Sequence, residues 1–529
     1  MEKDQDKEQD DGQHQGGMGM RGVTRPMAEK KIRQHNKQMQ GDGGQEHDEH
    51  QQGKGEGHDG MMSDDMRKQM LHMHHMQTLW VYWMIIILGV WVLFSPLTFD
   101  YGIGTVEPSG GRSVWLSMEQ RIQFMKWSDI LSGALLIFFG WRGLTPNRPV
   151  SLWICCFIGI WLTMAPILFW SPSSVAYLND TMVGALIIAL TILIPGMPNM
   201  IMYMKMGPET PPGWSYNPSS WPQRWIMMVL AFLGWIVSRY LAAFQLGYIN
   251  TMWDPFFGEQ SVQVLNSSMS HSLPISDAGL GAIAYTLEFL MGWMGSPARW
   301  RTMPWMVAVF GILVIPLGLV HIFLVISQPV MVGAWCTFCL LAAAIMLPMI
   351  PLEADEVIAM IQFMKKKLKK GKEGFWKLFW KGGNIESDEE DQAPEMMKFP
   401  EKPGAVYRAS IWGMSFPWTL LVSTLLGVAV MFAPGVFGVS INETAANIFH
   451  LSGSLIVVVS VICMGEPLRI GRYLNILLGL ILAVGPWFLE SSPTALSITG
   501  VVLGLAVAAL ALPRGPKTQR YAGWDEYIK

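Results

Sequence analysis

Long uncharged runs recur along this chain from Leu79 to Leu512, each near the ~20 residues that a helix needs to cross a bilayer. Nothing constrains the fold more, because hydrocarbon leaves each backbone amide to be satisfied within its own helix. Twelve candidate spans begin near Leu79, Ser128, Ser151, Thr181, Trp225, Ala278, Met303, Met331, Ile411, Ala446, Tyr473 and Ala495. The fold class is therefore all-α, a polytopic membrane protein with about twelve transmembrane helices. Composition agrees: only 15% of the 529 residues are charged and 51% are apolar, whereas soluble domains carry about a quarter charged residues.

Basic residues sort the loops. Arg142, Arg148, Lys205, Arg224, Arg299, Arg301, the lysines of 365–381, Arg469, Arg472 and Arg514 fall in alternate loops. The opposite loops carry only Arg112, Arg121 and Lys126. The positive-inside rule then makes both termini cytoplasmic, in what reads as a bacterial cytoplasmic membrane. Residues 1–78 are rich in Gln, Gly, Asp, Glu, Lys and His, too poor in apolar side chains to order themselves, and read as a disordered cytoplasmic tail. Near the membrane the tail carries Met61, Met62, Met66, Met70, His72, Met73, His74, His75 and Met76, ligand types that suit copper. Methionine is abundant throughout the chain, however, and no metal site is assigned. Charge is segregated by segment; membrane lipid is an expected partner and nucleic acid is not.

Four segments share a Gly, five residues, a small residue and then Pro: Gly89 to Pro96, Gly159 to Pro166, Gly427 to Pro434 and Gly479 to Pro486. Each precedes a span with a central glycine (Gly133, Gly184, Gly453, Gly500), which allows close helix contact. These hairpins, 79–204 and 411–512, resemble the SPW-repeat family, although only Gly485-Pro486-Trp487 keeps the tryptophan. The block 221–364 between them is not part of the repeat. A charged cytoplasmic linker, 365–410, follows it, and 513–529 closes the chain as a cytoplasmic tail.

Chemistry concentrates in the central block. Cys336 and Cys339 form a C-x-x-C pair at the mouth of an apolar run ending near Pro351, close enough in a helix to join as a disulfide. Zinc would need two further ligands that the neighbouring sequence does not offer. Two buried packing cysteines are the plainer alternative. Around the pair stand Val264-Leu265-Asn266-Ser267-Ser268, Ile275-Ser276-Asp277-Ala278-Gly279-Leu280-Gly281, Tyr285-Thr286-Leu287-Glu288, the basic turn Arg299-Trp300-Arg301 and a turn at Gln328-Pro329.

Together these features resemble the vitamin K epoxide reductase family of membrane thiol–quinone oxidoreductases. The resemblance implies a four-helix bundle and a quinone of the ubiquinone or menaquinone class. It also implies an extracytoplasmic thioredoxin-like partner. By position, Cys336 would exchange with the partner's thiols and Cys339 would face the quinone. Asn266, Ser267 and Ser268 would shape the lid of the quinone pocket, and Asp277 would contact the quinone. Two departures matter. The stretch 250–276 has no cysteine, where family members usually carry a relay pair, and Ala343 stands where an aromatic residue is common. Electrons would then enter at Cys336 directly, which would be open to attack; otherwise the block is a non-catalytic quinone-binding or scaffold element. Arg239 and Glu288 lie inside neighbouring spans and are expected to pair, since lone charges in hydrocarbon are costly. The lone His321 reads as a core hydrogen-bonding group, and Cys155, Cys156 and Cys463 read as packing residues.

Overall fold

The computed structural model describes residues 64–146, 148–193, 207–371, 374–385, 402–489 and 492–528. Among them there are helices and two isolated bridges but no strand. The first repeat pair is α1 (Asp64–Thr98), α2 (Met118–Gly143), α3 (Pro149–Leu168) and α4 (Ser174–Leu193). The central block comprises α5 (Trp221–Gln245), the short α6 (Glu259–Leu265), α7 (Asp277–Gly292), α8 (Pro304–Val314), α9 (Pro316–Met331) and α10 (Thr337–Lys369). The second repeat pair is α11 (Trp418–Val436), α12 (Thr444–Ile462), α13 (Leu474–Val484) and α14 (Thr494–Leu510).

Ten helices among the described residues are long and apolar enough to cross a membrane, with α8 and α9 running on as one span, Pro304–Met331. The two expected spans that fall short are α7, of 16 residues, and α14, of 17. At 1.5 Å per residue each reaches only about 25 Å. Both pack along a full-length span, α7 on the 25-residue α5 and α14 on α13, which with the 3-10 turns at its two ends runs from Glu466 to Phe488.

Several boundaries depart from the sequence reading. Helix α1 starts at Asp64, so 64–78 is helical rather than disordered; residues 1–63, with Met61 and Met62, lie outside the described residues. Helix α10 does not stop near Pro351 but continues to Lys369, with Pro348 and Pro351 inside it. Gln328-Pro329 belongs to the last helical turn of α9, and the chain reverses instead at Gly333, whose φ is +69°. The terminal segment is no loose tail: Tyr521 is buried, donates to Glu466 at 3.0 Å, and packs edge-on against Trp214.

The repeats close through their glycines. A Cβ on Gly133 would sit 2.6 Å from the Gly89 carbonyl, one on Gly184 2.6 Å from that of Gly159, and one on Gly453 2.7 Å from that of Gly427. In the fourth hairpin the partner of Gly479 is Gly504, at 2.3 Å, not Gly500 as the sequence reading has it. Spacing alone could not separate two glycines one turn apart.

The bundle has two unlike ends. At the end opposite the cysteines, arginines are buried as clamps. Arg299 holds Glu356 through two contacts of 2.6 Å, and Arg301 donates to the carbonyls of Pro208 (2.8 Å) and Gly207 (3.1 Å). Arg469 ties the Cys463 carbonyl (2.8 Å) to that of Pro516 (2.9 Å).

Candidate functional site

Cys336 and Cys339 are joined as a disulfide, with their Cα atoms 5.2 Å apart. Cys336 is the N-cap of α10, and its sulfur accepts from the Cys339 amide at 3.2 Å. The positive φ of Gly333 lets the chain turn into this helix tightly against Asn442, where a Cβ would collide.

The loop between α5 and α7 lies over the pair. Asp254 organises it, accepting from the Phe256 (2.9 Å) and Phe257 (2.8 Å) amides and from the Ser261 hydroxyl. The same carboxylate reaches α10, accepting from the Thr337 amide at 3.2 Å and the Thr337 hydroxyl at 2.5 Å. Partial burial disfavours its charge, but the bonds from Ser261, Thr337 and the two amides outweigh this and hold the carboxyl below the usual range. Gln260 accepts from the Trp335 amide at 3.0 Å, and Phe257 stacks on the Trp335 ring. Phe338 meets Tyr240 and Trp253. As a result Cys336 is 0% exposed and Cys339 6%. The expectation of an open Cys336 is overturned: aromatic rings and one aspartate cover it without any loop cysteine.

The other expected site residues are spread over this loop. Asn266 faces the first repeat, where Ser109 donates to it at 3.1 Å and Gly110 leaves room for its side chain. Ser267 donates to the Val264 carbonyl at 2.7 Å and turns the chain after α6. Ser268, exposed, follows it. Asp277 opens α7 and accepts from Gln245 at 2.5 Å, with the Ser270 hydroxyl at 3.3 Å. Beneath Cys339, the Tyr285 hydroxyl donates to the Ala342 carbonyl at 3.2 Å, its ring seated against Gly234. The central block matches the Vitamin K epoxide reductase family. Its family model covers residues 225–354, and that of the SPW repeat domain covers 79–193 and 417–514. Neither a curated protein nor a solved structure matches the chain.

Within the stretch that matches this family model, Arg239 and Glu288 do not pair. Arg239 donates to Thr181 of α4 at 2.9 Å and lies over the rings of Tyr177 and Trp235. Neither carboxylate oxygen of Glu288 has a hydrogen-bond partner. The helix rise explains it. Arg239 lies six residues from the C-terminal end of α5 and Glu288 eleven into α7, roughly 7 Å apart along the bundle. An apolar cleft of about 240 Å³, lined by Leu186, Phe232, Trp235 and Phe289 among others, opens between α4, α5 and α7; neither cysteine lines it. Sequence reasoning missed Asp254 and Gln260, and it named Tyr285 without giving it a role. An Asp-Pro step in a loop facing a cysteine pair was the available signal for the first. Among the described residues no cluster of three or more metal-ligating side chains occurs; His75 instead contacts the Leu144 carbonyl at 3.1 Å.

Proposed function

We propose that the chain is a membrane thiol–quinone oxidoreductase. The observation that carries the reading is the Cys336–Cys339 disulfide capping α10 inside a vitamin K epoxide reductase block. A thiolate of a thioredoxin-like partner attacks Cys336, the Cys336–Cys339 bond breaks, and Cys339 leaves as a thiolate. The partner's second thiolate resolves the mixed disulfide, which leaves the partner oxidised and both cysteines reduced. The dithiol then returns two electrons to a quinone of the ubiquinone or menaquinone class. With two protons that yields quinol, and the disulfide re-forms.

Cys339 would face the quinone, in surroundings that suit one: it belongs to the largest apolar cluster, together with Ala342, Tyr285 and Val264. Ser267, Ser268 and Asp277 would supply the polar rim, with Asn266 anchoring that rim to the first repeat. The disulfide end would be extracytoplasmic in a bacterial membrane, with both termini cytoplasmic. That side oxidises thiols, as such a cycle needs.

The test uses the purified full chain, reduced and then given quinone without oxygen. Disulfide re-formation with matching quinol is expected. Cys339→Ser should abolish both, while its remaining Cys336 should trap a partner as a mixed disulfide. A pair that stays reduced beside quinone would sink the proposal and leave a non-catalytic scaffold.

A further inference from the structure

The first repeat pair contains two carboxyl groups that the redox chemistry does not use. Asp129 on α2 and Asp180 on α4 are both 0% exposed, and their carboxyls lie within hydrogen-bonding reach of each other. The ring around them is made of donors. The Tyr101 hydroxyl donates to Asp129 Oδ2, and the Asn179 amide donates to Asp180 Oδ1 at 3.1 Å. Asn179 is itself fixed by the Trp91 indole at 2.8 Å. That leaves Asp129 Oδ1 and Asp180 Oδ2, both buried, with no partner outside the pair.

The second repeat pair shows what the same positions hold when nothing polar is required. Each aspartate stands four residues before the glycine that contacts the partner helix, Gly133 or Gly184. The equivalent glycines are Gly453 and Gly504, so the equivalent positions are Phe449 and Gly500. These also meet: a Cβ on Gly500 would lie 3.1 Å from the Phe449 ring. One buried ring fills the space there. Packing alone therefore does not call for two acids at this junction.

We propose that Asp129 and Asp180 form a binding site for one proton, shared between their two facing oxygens. Two carboxylates in contact away from water cannot both carry charge, so something positive must sit between them. A metal ion would require acceptors around it. The surrounding side chains, Tyr101 and Asn179, present hydrogens to the pair instead, and only a proton fits that arrangement. The other titratable groups nearby are Tyr177, Tyr248, Arg239 on Thr181 and the Arg121–Glu107 pair; α1 and α3 present neutral Ser95, Trp91 and Trp161. The proposal is independent of the redox reading.

The test is infrared spectroscopy of the full chain in lipid nanodiscs. Wild type at neutral pH should show a protonated-carboxyl band that shifts in D₂O and is lost on raising the pH. Asp129→Asn and Asp180→Asn should each remove that component. Thermal stability of wild type should fall as pH rises and the shared proton leaves. The variant Asp129→Phe/Asp180→Gly, which copies the second repeat pair, should be stable without that dependence. An unchanged band in both Asn variants would overturn the proposal. So would selective stabilisation of wild type by sodium over potassium at fixed pH, a measurement that needs no variant.

Discussion

Replacing Asp254 by alanine should open the cover over the disulfide. Asp254 accepts five hydrogen bonds, of which three fold the loop on itself and two cross to Thr337 on α10. A hydrogen bond to a charged group contributes about 1.5–3 kcal/mol to stability. Asp254 is half-exposed, so water compensates part of the loss, and the two crossing bonds together come to about 2 kcal/mol. At about 1.4 kcal/mol per tenfold, the open population should rise about 30-fold. The assay is the rate at which dithiothreitol reduces the Cys336–Cys339 bond, read by alkylation and mass shift. Reduction should accelerate by the same factor where opening precedes attack. Thr337→Val keeps the amide contact and removes only the hydroxyl one, so a smaller gain, about fivefold, is expected. Identical rates in all three proteins, or a larger effect from Thr337→Val, would refute the idea that this carboxylate latches the loop.

Acid should release the same latch late. The Asp254 carboxyl is held below the usual carboxylate value, so its contribution is complete above the ordinary aspartate range, about 3.9, and is lost only as pH falls through the lower folded value. The protection of the disulfide against an acid-tolerant phosphine reductant should thus stay level from pH 7 to about pH 5. Glu356→Gln breaks a fully buried pair and leaves Arg299 uncompensated, at a cost of about 3–5 kcal/mol, to be measured by thermal unfolding in detergent. Arg239→Gln and Glu288→Gln should be additive within about 0.5 kcal/mol, because the two side chains do not meet. A coupling well above that value would contradict the geometry.

Much of the architecture was legible because hydrocarbon imposes it. Uncharged runs and the Gly-to-Pro spacing both report one requirement, a backbone satisfied inside each helix. The cysteine pair was legible as well, since three-residue spacing at a helix mouth permits closure. What sequence could not give was depth. Spans were placed from Ser128 and Thr181, yet α2 begins at Met118 and α4 at Ser174. That shift put Asp129 at a span mouth and Asp180 outside, whereas both lie inside helices and touch. Depth also misled for Arg239 and Glu288, whose helices are neighbours but whose side chains sit at different levels. Glu353, Asp355 and Glu356 escaped notice because two prolines appeared to end a helix that in fact continues through them. Pro348 and Pro351 lie within α10, which packs against α5, α8 and α12.

The missing loop cysteines look different once the repeats are considered with the cover they touch. A loop disulfide would tie the segment between α5 and α7 covalently; here both repeat pairs brace the same region from outside. From the first pair, Arg112 donates to the carbonyls of Leu273, Ser270 (3.4 Å) and Ile275 (3.5 Å), and Ser109 holds Asn266. The Trp170 indole adds a bond to the Pro274 carbonyl at 2.8 Å. From the second pair, Phe432 and His450 pack on Trp335, next to Cys336, and Asn442 fills the space left by Gly333. Each contact is weak beside a covalent bond, but all are reversible, and none consumes a thiol. A cover held in this way can open and close again without any electron moving through it. That property follows from the contacts themselves and gives the flanking repeats a physical relation to the cysteine pair they enclose.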